Sequence, residues 1–303
     1  MTRYDLLTQL QHYVVISAVL AVGAVAAQYA LGRLVLHPMP RRPRLMLAPL
    51  AAQLLLGVLI ALAVFALTMM PVAALLQFSP LSPGWTSFAY NIPRVSASDA
   101  GLIWVFFLAV SVGEEFFFRG LLMALFALLL YWQSALLLTP QLKHLPAGHP
   151  DAARLRAWLW FGSGTLSNAV ISVVFGVLHS GNPHVAPLAV VNIGLAGFAL
   201  GQLYWTQGNL SGAIILHWFW NALQASFGLP VSGIALMPTM LGVGASGAVP
   251  GLLSGGTFGV EGSIFFTLSI ALACAWLTWH GLRYALKTAV LNPEPEPAAS
   301  NGP

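Results

Sequence analysis

Gly113-Glu114-Glu115-Phe116-Phe117-Phe118-Arg119-Gly120 sets two carboxylates and a guanidinium inside an otherwise apolar run from Leu102 to Trp132. In lipid each charge is costly unless it is paired or faces a polar cavity, so a chain that retains all three is organised around them. The surrounding composition identifies the solvent. Of 303 residues, 58% are hydrophobic and 7% charged, against about 25% charged in an ordinary soluble domain. This is the composition of an integral membrane protein.

The formal charge of +4 and pI near 9.5 do not indicate a polyanionic partner. Arg and Lys cluster beside the apolar runs, as topology signals do, and nucleic acid is excluded as a partner; the lipid bilayer is the expected one. The single cysteine, Cys274, excludes an intrachain disulfide, a thiolate zinc cage and a Cys-x-x-Cys redox pair, and reads as a small buried hydrophobe. The first apolar run is too long for a signal-peptide core of about 7 to 15 residues and reads as a retained membrane helix.

A span needs about 20 apolar residues, and seven runs meet or approach that length. They are about Tyr13 to Leu36, Leu45 to Leu76 with Pro71 able to kink or end it, Gly101 to Leu138, Ala157 to His179, Pro187 to Trp205, a short Leu210 to Phe227, and Ser263 to Leu286. The expected fold class is an all-α polytopic transmembrane helical bundle of about seven spans, or eight if the motif segment 101–138 breaks near Gly113. Residues 1–290 form one membrane-embedded domain with its motif core at 101–227, and the Pro-Glu-Pro-Glu-Pro tail at 291–303 is expected to be disordered. With seven crossings and a cytoplasmic C-terminus, Arg33, Arg41, Arg42, Arg44, Lys143, Arg154, Arg156, Arg283 and Lys287 fall inside and Arg3 and Arg94 outside, as the positive-inside rule requires.

Helical spacing assigns roles within the opening stretch. Residues four apart share a face and neighbours diverge by about 100°, so Glu115 and Arg119 form a structural ion pair while Glu114 points elsewhere as the working carboxylate. The bland alternative is a single structural network of all three charges. In the fourth run Asn168, Ser172, Phe175 and His179 share one face, read either as helix packing with His179 at the membrane end or as part of a site. In the sixth run His217 and Asn221 lie four apart, flanked by aromatic residues. Glu114, His179, His217 and Asn221 together are an inventory for amide hydrolysis. A carboxylate takes a proton from water and passes it to the leaving amine, while imidazole and amide groups orient the water or hold the oxyanion. Glu114, His179 and His217 equally fit a divalent metal such as zinc with an open position for water. Both readings stand on the same residues. If the fourth span begins at Ala157, His179 lies about 33 Å along it, so a deeper start near Gly162 or Gly164, a strong tilt, or a site in the outer half is expected.

Glu-Glu-x-x-x-Arg at 114–119, Phe-x-x-x-His at 175–179 and His-x-x-x-Asn at 217–221 resemble, in order and interval, the motifs of the CPBP membrane proteases, the family of CAAX prenyl endopeptidases and bacteriocin-processing or Abi proteins. The resemblance covers about Gly101 to Phe227, and Gly255-Gly256-Thr257-Phe258-Gly259-Val260-Glu261-Gly262 is similar to a glycine-rich segment of some bacterial members. It implies a glutamate-dependent intramembrane endopeptidase, named in the family as a metalloprotease, in the inner membrane of a bacterium. Its substrate would be a membrane-associated peptide or protein, with Glu114 as general base, His179 holding the water, and His217 and Asn221 as oxyanion donors. The competing classes are a non-proteolytic scaffold or immunity protein of the same fold and, more remotely, a proton-coupled transporter, against which no internal repeat is found. Gly244-Ala245-Ser246-Gly247 with His280 offers a rhomboid-like serine alternative that leaves the three motifs unexplained.

Overall fold

The structure is a computed structural model that describes residues 49–78, 97–142, 149–227, 229–234 and 250–291, with scattered positions between 8 and 26. The described residues form seven main helices and no β-strand; Val231 and Ile234 make an isolated antiparallel bridge. The helices are α1 (Leu50–Phe78), α2 (Ala97–Glu115), a π-helical segment (Phe116–Met123) running on into α3 (Ala124–Leu142), α4 (Pro150–Leu178), α5 (Pro187–Gln207), α6 (Ser211–Ser226) and α7 (Ile264–Leu291). Five stretches are long and apolar enough to cross a membrane: Leu50–Leu75, Gly101–Leu138, Pro150–Gly181, Pro187–Gln207 and Ile264–Lys287.

The first expected span falls largely outside the described residues. Its described positions 14–19 are helical, and Ser17 Oγ donates to the carbonyl of Ala109 at 2.6 Å. The Gly244-Ala245-Ser246-Gly247 pattern and residues 79–96 and 292–303 lie outside them entirely. The motif segment is one continuous helical run through Gly113, and α1 continues through Pro71 to Phe78.

Local chemistry sets the ends. Pro150 opens α4 at a position where its missing N–H costs nothing, and the His149 ring accepts from the Asp151 amide at 3.2 Å. Gly208 closes α5 at φ +71, donating to the Tyr204 carbonyl at 2.8 Å, which a residue with a Cβ adopts only under strain. Asn209 Oδ1 then accepts from Ser211 N at 3.0 Å and starts α6.

Short α6, about 24 Å long, packs against α1, α2 and α5, while α7 packs against α5, α4 and α1. It needs no full lipid-facing length because it lies among its neighbours. The α1–α6 approach is close: a Cβ on Gly57 would stand 2.7 Å from the Gly212 carbonyl, the small-residue contact by which membrane helices gain packing without hydrophobic drive. α2 and α6 run antiparallel, Glu115 against His217 and, nearer the start of α2, Trp104 Nε1 donating to Ser226 Oγ at 3.1 Å and Trp218 Nε1 to the Trp104 carbonyl at 2.7 Å. α4 ends at the level of His217, where the Phe175 ring lies 6.5 Å from the imidazole.

Candidate active site

Glu114 and Glu115 end α2, and their neighbouring positions divide them as helix geometry requires: Glu114 is 29% exposed and Glu115 0%. Oε1 of Glu115 accepts from Arg119 Nη1 at 2.8 Å and lies 2.9 Å from His217 Nδ1. Arg119 is 1% exposed. Its Nη2 donates to the Gly197 carbonyl at 2.9 Å, and its guanidinium lies 4.6 Å from the Phe175 ring centroid, where cation–π attraction adds to the ion pair. Gly197 makes room for it, since a Cβ there would stand 3.0 Å from Arg119 Nη2.

The pairing at Nδ1 fixes His217. A carboxylate accepts, so Nδ1 carries the proton and donates, leaving Nε2 to face Glu114 Oε2 at 3.9 Å. His179, at the end of α4, is held the same way by a carbonyl: its Nδ1 is 2.7 Å from Phe175 O and its ring packs 4.6 Å from the Phe175 centroid. Its Nε2 is thereby left as an acceptor. Asn221 is buried one turn beyond His217 on α6, and its side chain makes no hydrogen bond among the described residues.

His179, His217 and Asn221 line one cavity of about 50 Å³, together with Ser232, Glu261 and apolar side chains that include Phe175 and Trp220. Glu114 adjoins this group through His217, its Oε2 standing 3.9 Å from the Nε2 atom. α4 begins at Pro150, earlier and not deeper than Ala157. The site gathers at the end of that helix because α2 and α6 extend beyond it. Asn168 and Ser172 take no part: Asn168 Nδ2 donates to the Phe198 carbonyl at 2.8 Å and Ser172 Oγ to Asn168 Oδ1 at 3.1 Å, binding α4 to α5. His280 lies elsewhere, stacked on Trp276 at 5.2 Å.

Among the described residues no three His, Cys, Asp or Glu side chains come together as a metal-binding group. Nδ1 of His179 and Nδ1 of His217 are committed to a carbonyl and to Glu115, which leaves Nε2 of each ring free.

Two features were not singled out from the sequence. Glu115 holds His217 as well as Arg119, a contact across helices that spacing within one helix does not show. Glu261, 4% exposed, reaches the same cavity from the Val260–Gly262 turn, and its only sequence signal is a lone carboxylate in a glycine-rich run.

Residues 96–223 match the family model described as type II CAAX prenyl endopeptidase Rce1-like, a protease family, and the match contains Glu114, His179, His217 and Asn221. No curated protein and no solved structure matches the chain.

Proposed function

We propose that this chain, Rce1-like over residues 96–223, is an intramembrane endopeptidase that hydrolyses a peptide bond of a membrane-associated peptide or protein. The supporting observation is the fixed imidazole of His217, which presents Nε2 toward the partly exposed Glu114 at 3.9 Å while buried Glu115 holds Nδ1.

In this reading a water held at His179 Nε2, which accepts one of its hydrogens, gives its other proton to Glu114. Its oxygen adds to the carbonyl carbon. The carbonyl oxygen takes up the negative charge and is met by Asn221 Nδ2–H and, when Nε2 also carries a proton, by Nε2–H of His217. Glu114 then returns its proton to the amide nitrogen as the C–N bond breaks, leaving a carboxylic acid and an amine.

The basic residues support a cytoplasmic C-terminus. Arg154 and Arg156 lie in the first turns of α4 and Arg283 and Lys287 toward the end of α7, and Gly281 packs on Phe161 between them, so these charges gather at the end of the bundle away from His179.

The test compares membrane proteomes of cells carrying the wild type or Glu114→Ala. Peptide termini present only with the wild type are expected. Identical termini from both, with the phenotype retained, would sink the endopeptidase reading in favour of a non-proteolytic scaffold or immunity role.

A further inference from the structure

The cavity lined by His217 and Asn221 is also lined by a buried carboxylate, Glu261, that the hydrolytic steps do not use. Oε1 of Glu261 accepts from Trp220 Nε1 at 2.8 Å and from Gln224 Nε2 at 3.0 Å. Oε2 accepts from the backbone N–H of Ser232 at 2.7 Å and from its hydroxyl at 3.1 Å. Four donors and no acceptor surround it. Asn192 Nδ2 also donates to the Glu261 carbonyl, at 2.7 Å, which fixes the turn that carries it.

Ser232 is consequently held at every polar atom of its backbone and by its hydroxyl hydrogen. Its φ is +49, uncommon for a residue with a Cβ, and Asn182 Nδ2, just beyond His179, donates to its carbonyl at 2.9 Å. A serine hydroxyl has one hydrogen and two lone pairs. With the hydrogen directed at Glu261, Ser232 offers the cavity an acceptor only. A peptide group carries one C=O and one N–H, and Asn221 and His217, which line the same cavity, offer N–H donors to the carbonyl. The N–H needs an acceptor.

We propose that Ser232 is a substrate-binding residue whose Oγ accepts a main-chain N–H of the peptide in the cavity, and that Glu261 is the positioning residue that fixes the hydroxyl in that polarity. The assignment rests on the endopeptidase reading and adds to it a contact outside its three motifs. It requires a substrate whose backbone is extended and unpaired at the site.

Binding is measured with the full-length protein in detergent, in a Glu114→Ala background that keeps the peptide intact. The probe is a fluorescent, farnesylated peptide ending in Cys-aliphatic-aliphatic-X, compared with ester analogues in which each main-chain N–H is replaced in turn by oxygen. One ester position is expected to weaken binding about tenfold, the loss of one buried hydrogen bond. With Ser232→Gly added, which suits the positive φ and removes the CH2OH side chain with its hydroxyl, amide and ester are expected to bind alike at that position, both about tenfold weaker than the parent amide. In the Glu114 protein, Glu261→Gln places an amide N–H₂ against a donor pair and is expected to raise KM about tenfold with kcat little changed.

An ester series without a sensitive position, unchanged binding by Ser232→Gly, or a fall in kcat at constant KM for Glu261→Gln would each overturn the assignment. If Glu114-dependent termini are nevertheless found in membranes, the endopeptidase reading survives that failure. If no peptide binds and no such termini exist, both fall together.

Discussion

His217 Nδ1 and Arg119 Nη1 converge on the same oxygen of Glu115, at 2.9 and 2.8 Å, while the second carboxylate oxygen is buried without a partner among the described residues. A single carboxylate thus neutralises the guanidinium and orients the imidazole. Glu115→Ala would leave Arg119 charged and buried, a loss of about 3 to 5 kcal/mol. A much lower unfolding midpoint in detergent is expected for Glu115→Ala, and for Glu114→Ala, at a partly exposed position, a midpoint close to the wild type. Equal midpoints for the two variants would contradict this division.

His179 is half-buried at a helix end, and among the described residues its side chain hydrogen-bonds only the Phe175 carbonyl. Its removal should therefore be felt in chemistry more than in folding. His179→Ala is expected to reduce kcat about 100-fold with the unfolding midpoint nearly unchanged. A variant that folds normally and cleaves at the wild-type rate would remove His179 from the mechanism.

Gly197 lies under the guanidinium. The Cβ of Gly197→Ala would meet Arg119 Nη2 at 3.0 Å and a Phe175 ring carbon at 3.1 Å, and overpacking of this kind costs about 1 to 3 kcal/mol. Lower stability together with reduced cleavage is expected, because Arg119 cannot shift without moving Glu115 and, through it, His217. A stable variant with normal activity would show that the contact has slack.

Asn192 is fully buried and joins α5 to the turn before α7. It donates to the Glu261 and Ser263 carbonyls at 2.7 and 3.0 Å and accepts from Thr267 Oγ1 at 2.7 Å. Asn192→Ala strands the Glu261 carbonyl, while the Ser263 carbonyl and the Thr267 hydroxyl keep their 3.2 Å bond to each other, and a loss of about 1 to 3 kcal/mol is expected. Amide exchange at Val260 to Ser263 should rise with it; protection unchanged in that turn would contradict the anchoring role.

Arg154 and Arg283 should be reached from one side of the membrane and His184 from the other. Single cysteines at these exposed positions, read against the buried Cys274, are expected to react with a membrane-impermeant maleimide from opposite faces. Labelling of all three from the same face would overturn the orientation.

The helices that face lipid were legible because their apolar runs are long and uninterrupted, as for α1, α5 and α7. The Glu115–Arg119 contact was legible because it lies within one helix turn. The early start of α4 was not, because its first turns, Asp151 to Arg156, are polar and project past the apolar run that hydropathy detects. Nor was the π-helical segment. Phe116, Phe117 and Phe118 are apolar in every direction, so the pattern of hydrophobicity does not change when each turn holds an extra residue. Glu261 was quoted within its glycine-rich run, yet its partners Trp220, Gln224 and Ser232 come from α6 and from the segment after it, and Trp220 read only as aromatic filling. Non-local pairing of this kind leaves no period in the chain.

The hydrogen bond from Asn182 to Ser232 gives the cavity a mechanical character. Because Ser232 is also tied to Glu261, and Glu261 to Trp220 and Gln224, the end of α4 is linked through a series of short bonds to the far half of α6. Spreading α4 from α6 to widen the mouth would stretch that whole series at once. The cavity is thus braced across its width, the end of α4 and the far half of α6 being held at one separation as by a crosspiece.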